Sequence, residues 1–235
     1  MLLGSEISTI MMVRALAHPM IFGEKMGQAL QETSRFAYFK AFGAIPVSAT
    51  NLCRLLSAKS HVLLYPGGVR EALHKKGEAY KLLWPEEPEF MRIASKYGAT
   101  IVPFGVVGED DVFELFFDYT DYMKIPHLRN INIPKVRAET EMKGERAEQV
   151  FYVPGFYPKL PGRFYFLFGK PMETKGRNEL LTDKMIAKEF YQQVKCDVKR
   201  SMDYLIRKRE EDPYRNLFNR FRYHAVTHEV HTFDP

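Results

Sequence analysis

The apolar positions of the chain change period along its length, and each change marks an element. From Met26 to Phe42, Leu30, Phe36, Ala37, Phe39 and Ala41 fall at roughly helical spacing, and the pattern stops at Gly43, a residue free to take the left-handed conformation that ends helices. Ala44 to Val47 is short and apolar and reads as a strand, and Asn51 to Leu56 opens another helix. Val62 to Tyr65 is an unbroken apolar run stopped by Pro66-Gly67-Gly68, the pattern of a parallel strand buried on both faces. Phe90, Ile93, Ala94 and Tyr97 follow at i, i+3, i+4 and i+7, with Gly98 placed to end the helix; a second buried strand is expected from Thr100 to Val107. This alternation predicts an α/β layered fold with a mixed, largely parallel sheet flanked by helices.

The C-terminal half has a different texture. Pro126, Pro134, Pro154, Pro158 and Pro161, with a charged segment from Arg137 to Glu148, make residues 124–161 a long excursion over the surface,. Phe164 to Phe168 is strand-like and ends at Gly169-Lys170-Pro171. From Thr182 onward, Ile186, Phe190, Val194, Met202, Leu205 and Ile206 recur near helical period with Lys188, Lys195, Lys199 and Arg207 between them. This predicts a long amphipathic helix, basic on its polar side and suited to peripheral attachment to an anionic membrane or lipid-droplet surface. Beyond Asp212, arginines alternate with Tyr214, Phe218, Phe221 and Tyr223. Such a segment can stack on single-stranded nucleic acid, but no nucleic-acid motif accompanies it, so it reads as a docking tail and no nucleic-acid partner is expected. The chain thus divides into a main domain, residues 1–180, and a basic helix with its tail, residues 181–235.

Composition narrows the choice. A chain of 235 residues that is 46% hydrophobic can bury a sizeable core,. The net charge of +5 favours an anionic partner, yet 29 acidic residues interleave with the basic ones, so no massed positive field exists. Cys53 and Cys196 stand far apart, outside any metal-ligand spacing; both are expected to be reduced thiols, and no metal site is expected. No apolar run approaches the roughly 20 residues needed to span a bilayer, and Met1 to Glu6 does not read as a leader peptide.

The Pro66-Gly67-Gly68 turn is where chemistry is expected. Two glycines let the backbone turn sharply and approach a ligand with no Cβ in the way, and ligands of open α/β sheets gather at the carboxyl ends of the strands. Arg70 and Glu71 follow on the rim. An ordinary strand-to-helix turn would have the same residues, and the turn alone does not choose between the two readings.

Several blocks together carry a resemblance. Tyr65-Pro66-Gly67-Gly68-Val69-Arg70-Glu71-Ala72-Leu73 resembles the glycine-rich block of the diacylglycerol acyltransferase type 2 family and is similar to the corresponding block of lysophospholipid acyltransferases. Phe42 to Ser48, Lys75-Lys76-Gly77, Ile101 to Phe104 and Phe168 to Pro171 resemble other blocks of that family, in the same order. Trp84 to Pro88, Pro161 to Phe166 and Glu211 to Arg215 resemble the plant plastid branch, the phytyl ester synthases. The resemblance implies a glycerolipid acyltransferase-like partial domain that lacks its N-terminal part. It also implies an O-acyltransferase that moves a fatty acyl group from acyl-CoA or acyl-carrier protein, a co-substrate rather than a bound cofactor, to a neutral lipid alcohol such as phytol or diacylglycerol. A chloroplast, plastoglobule location is implied by the branch alone.

The family's catalytic device is a histidine followed some five or six residues later by a carboxylate, which orients the imidazole as it takes the alcohol proton. Met1-Leu2-Leu3-Gly4-Ser5-Glu6 resembles that segment from the residue after the histidine onward. By this resemblance Glu6 keeps the acidic position and the histidine falls before Met1, so impaired turnover is expected of the chain as given. The alternative is a non-catalytic, lipid-binding remnant of the fold. His18, in Ala15-Leu16-Ala17-His18-Pro19 after an expected first helix, is the candidate substitute base, against a plain structural role at a helix end. Ser48-Ala49-Thr50-Asn51 stands where lysophospholipid acyltransferases hold the acceptor's phosphate with an arginine, so Ser48 and Asn51 imply a neutral acceptor. Pro66, Gly67, Gly68, Arg70 and Glu71 complete the expected donor site.

Overall fold

Strand β1 (Val13–Ala17) lies between β2 (Ile45–Pro46) and β3 (His61–Leu63), and both neighbours run parallel to it. The computed structural model describes residues 12–22, 37–72, 74–86, 89–118, 121, 124–125, 155–160 and 162–233. Within it, Leu16 pairs with Ile45 and Ala17 with Pro46, while Val13, Arg14 and Ala15 pair with His61, Val62 and Leu63. Helix α1 (Ala37–Ala41) leads through Gly43, at φ +79°, into β2. Helix α2 (Ala49–Ser57) connects β2 to β3, as parallel strands require a crossover,. A short helix, α3 (Gly68–Ala72), follows β3. The residues ahead of His18 form a strand, not the expected helix: Val13-Arg14-Ala15-Leu16-Ala17 alternates too weakly to show its period, and pairing on both sides fixes it as β.

Helix α4 (Glu89–Lys96) buries Met91 and Ala94 and ends at Gly98, φ +60°. The strand expected from Thr100 to Val107 is two strands. Strand β4 (Thr100–Ile101) and strand β5 (Phe104–Val107) are separated at Val102-Pro103, because proline has no N–H to continue a ladder. The remaining strands are β6 (Phe113–Phe117), β7 (Gly155–Pro158), β8 (Tyr165–Phe168) and β9 (Met172–Glu173). They return antiparallel in the pairs β4-β9, β5-β8 and β6-β7. Among the described residues, therefore, the sheets are small and mixed, and parallel pairing is confined to the N-terminal strands. The end of the expected excursion, 155–158, is a strand rather than a loop.

Helices α5 (Glu179–Thr182), α6 (Lys184–Glu211) and α7 (Leu217–Thr227) complete the described chain. Asp183 caps α6 by accepting from the N–H groups of Met185 and Ile186,. The buried stripe of α6 runs through Ala187, Phe190, Tyr191, Val194, Val198, Met202 and Leu205. One part packs with Met91, Leu180, Trp84 and Phe90, and the next with Val107, Tyr165 and Leu167. The helix lies so close to β5 that a Cβ on Gly105 would sit 2.9 Å from the Met202 amide nitrogen. The sequence segment 181–235 therefore supplies the helix around which the antiparallel strands are packed.

The far end of α6 is locked by buried polar groups. Asp212, its side chain 2% exposed, pairs with Arg163 at 3.0 Å and accepts from the Tyr165 hydroxyl at 2.8 Å and the Tyr214 N–H at 2.8 Å. Burial alone would raise the Asp212 carboxyl; the Tyr165, Tyr214 and Arg163 donors outweigh it and hold the carboxyl below its usual range,. A depressed carboxylate stabilises the fold above its unfolded pKa, and that contribution is lost as pH falls through the folded value. Asp212→Ala leaves the Arg163 charge and the Tyr165 hydroxyl without this partner, so it should lower unfolding free energy by about 3 kcal/mol at pH 7. The deficit should shrink in acid. Urea melts of both proteins at several pH values check this, and a small loss that is the same at every pH contradicts the assigned role.

Candidate functional site

Parallel pairing carries the ends of β1, β2 and β3 to one edge. With Ala17 opposite Pro46 and the Val47 N–H bonded to the Ala17 carbonyl at 2.7 Å, His18 leaves β1 beside Val47-Ser48. In the same register, Ala15 opposite Leu63 sets the Tyr65-Pro66-Gly67 segment just beyond the end of β1. Three separate segments, His18, Ser48 to Asn51 and Pro66 to Gly68, thus share the carboxyl edge where α/β folds place ligands. His61 begins β3 and lies at the opposite edge.

The turn after β3 is held by its own residues. The Gly68 N–H reaches the Tyr65 carbonyl at 3.0 Å, and Gly68 stands at φ +51° with open space where a Cβ would point. At Gly67 the space is filled instead: an added Cβ would fall 2.0 Å from Cδ of Glu71. The Glu71 side chain folds back over this glycine, and its Oε1 accepts the Leu83 N–H at 2.8 Å. Burial raises its pKa, opposed by bonds from Leu83, Gly67 and Trp84 and by the charge of Lys195. Glu71 therefore fastens the turn to the 83–84 segment, and through Trp84 to the Tyr191 face of α6.

Arg70 makes a two-pronged contact with Glu78, Nη1 to Oε2 at 2.8 Å and Nη2 to Oε1 at 2.6 Å. That contact, joined by the Lys75 N–H at 2.7 Å, brings the Glu78 pKa down to about 2 against the opposing effect of burial. The pair closes the loop after α3. Glu78 was not singled out from the sequence, since an eight-residue spacing across a turn carries no periodic signal. Next to this loop a depression of about 200 Å³ is lined by His74, Lys75, Lys76 and Lys159, with Glu114 among its other walls.

Ser48 and Asn51 serve the start of α2. The Ser48 Oγ accepts the Asn51 N–H at 3.0 Å, and the Asn51 side chain donates to the Pro46 carbonyl at 2.8 Å. Pro66 is half-buried at the head of the turn. His18 is half-buried as well, and burial lowers its pKa, so the imidazole is neutral at pH 7,. Glu6 lies outside the described residues. His74 turns its Nδ1 to the Glu71 carbonyl at 3.2 Å. Cys53 is half-buried and Cys196 exposed, both as free thiols.

Comparison with known proteins gives this edge a context. Residues 25–133, which include the second and third segments of the edge, match the diacylglycerol acyltransferase family. That match takes in less than half of the chain. Over its whole length the chain is 49% identical to phytyl ester synthase 1, chloroplastic, and 48% identical to phytyl ester synthase 2, chloroplastic, both of Arabidopsis thaliana. In each case it covers 36% of the relative, so it spans about a third of the length of these curated relatives. The human 2-acylglycerol O-acyltransferase 3 is 35% identical over 81 residues, 33% of this chain and 24% of that protein. No solved structure matches the chain significantly.

The fit of Glu71 over Gly67 makes a testable pair. Gly67→Ala should displace the Glu71 carboxylate from the Leu83 N–H and cost about 1–3 kcal/mol of stability. Glu71→Ala should cost a similar amount, and adding Gly67→Ala to it should cost less than about 0.5 kcal/mol more, because the clash is gone. Denaturant melts of the four proteins measure the coupling, and additive losses contradict the proposed contact.

Proposed function

We propose that the shared edge of β1, β2 and β3 is an acyl-transfer site, at which a fatty acyl thioester, acyl-CoA or acyl-carrier protein, donates to a neutral lipid alcohol. The observation that carries this reading is the convergence of His18 with the Pro66-Gly67-Gly68 turn at the carboxyl edge of one parallel sheet. The open space at Gly68 leaves room for a thioester to lie against the turn, and the lysines beside His74 suit the phosphate-bearing end of such a donor. Phytol and diacylglycerol are the acceptors that the names and family of the relatives favour. Their names also favour a chloroplast location; the plastoglobule and attachment to a lipid surface belong to the same reading.

The reaction needs little beyond orientation and a base. The alcohol oxygen attacks the thioester carbonyl carbon as its proton passes to a neutral imidazole. Collapse of the tetrahedral adduct expels the thiolate, which takes that proton and leaves as the free thiol. His18 is suited to accept the proton because burial keeps it neutral. Arg70 and Glu71 act behind the turn: with one bound to Glu78 and the other to Leu83, they set the backbone of Gly67 and Gly68.

The test is acyl transfer to phytol and to diacylglycerol by this chain. His18→Ala should lower turnover by roughly a hundred- to ten-thousand-fold, the usual contribution of a general base. Because the His18 pKa lies below its ordinary value, wild-type activity should persist at pH 6.5 and fall only in more acidic buffer, as the imidazole takes a proton. Gly68→Val should abolish donor binding while leaving a folded, cooperatively melting protein. Undiminished turnover in His18→Ala would move the base elsewhere. Donor binding unchanged in Gly68→Val would remove the turn from the site, and lipid binding with no turnover in any chain would favour the non-catalytic reading.

A further inference from the structure

The long helix α6 has spent its apolar side. From Ala187 to Leu205 that side is buried against the strands, and Lys199 and Arg200 on its outer side pair with Asp203 and Asp197. An interfacial helix must put an apolar face into lipid, so the basic face of α6 is a solvated surface. Helix α7 has the opposite arrangement. It has no buried residue, and its contacts with other described residues through Arg220 and Tyr223 lie on one side. Arg220 donates to the carbonyls of Arg215 and Gly162, and the Tyr223 ring packs on Tyr214 and His231.

At about 100° per residue, the side of α7 opposite Arg220 and Tyr223 presents Leu217, Phe218, Phe221 and Ala225 in one arc. Phe218 is 79% and Phe221 70% exposed, the two bulkiest side chains of the arc turned outward on a helix whose other side is anchored. Arg222 flanks them, while Arg220 lies on the anchored side and Arg215 pairs with Glu210 and Asp111. We infer that α7 is the surface by which this protein docks on an anionic lipid interface, with Phe218 and Phe221 entering the acyl region and Arg222 at the headgroups.

Charge and size both favour lipid over a second copy of the chain. In a two-fold contact the same patch meets itself, which would bring Arg222 of both copies into one seam. A helix of 11 residues is about 16 Å long and about 10 Å wide. Its footprint of roughly 160 Å² is far below the roughly 800 Å² per partner of a stable dimer. Lipid, by contrast, needs only a few inserted aromatics and a positive rim. This inference rests on the lipid-surface part of the proposed function and not on the acyl-transfer site.

Flotation with phosphatidylcholine vesicles, with and without phosphatidylglycerol, tests it on the whole chain. The wild type should float with phosphatidylglycerol vesicles. Phe218→Ser/Phe221→Ser should lower partition at least about tenfold, and Arg222→Glu should weaken binding to the anionic vesicles only. Both substitutions lie on exposed positions, so melting curves and acyl transfer to a short, water-soluble alcohol should stay unchanged. Loss of that transfer in the wild type speaks against the acyl-transfer site and leaves the docking surface standing. Failure of the wild type to float, or equal partition of the phenylalanine variant, overturns the docking surface. So does an apparent molecular mass in light scattering that falls on losing the two phenylalanines, which would make α7 a contact between copies.

Discussion

The parallel pairing of β1 with β2 and β3 is the constraint on which the site depends. Parallel strands bring their carboxyl ends to a common edge, so residues that are 30 and 48 positions apart from His18 in the chain, Ser48 and Pro66, are carried to its side of the sheet. The crossover α2 returns the chain from β2 to β3 for that pairing,. Everything nearer the chemistry is a local adjustment: Glu71 closed over Gly67, Arg70 tied to Glu78, Ser48 capping α2.

Behind that edge, α6 supplies the bulk of the packing. Its close approach to β5 at Gly105 and the aromatic contacts among Trp84, Phe90 and Tyr191 connect the antiparallel strands to the segment on which Glu71 is fastened. The turn is therefore braced from the core rather than from solvent. Such bracing suits the proposed site for a large, flexible thioester, since a turn already fixed loses little freedom on binding.

The sequence made some of this legible. The apolar run before Pro66-Gly67-Gly68 marks β3 and its turn, although the strand is His61–Leu63, is only partly buried and leaves Tyr65 exposed; the spacing of Phe90, Ile93, Ala94 and Tyr97 identifies α4, because burial imposes that period. Strand β1 escaped, since Val13 to Ala17 is too short to show a period and is recognised only by partners distant in sequence. The antiparallel return of β8 and β9 escaped for the same reason, whereas the break at Pro103 follows from a residue that cannot continue a ladder. The roles of Arg70 and Glu71 were read from their nearness to the glycines, whereas their partners, Glu78 and Leu83, are set by how the loop folds back. In α6 the basic residues drew attention, and only packing shows that its apolar side faces the core.

The central claim, that a thioester sits at the edge formed by β1, β2 and β3, is tested most directly by NMR on isotope-labelled protein titrated with a non-hydrolysable acyl-CoA analogue. The account predicts that the Gly67 and Gly68 amide signals and the His18 ring signals shift together, saturably and with one dissociation constant. Saturable binding that leaves all three unmoved while shifting residues elsewhere would contradict it.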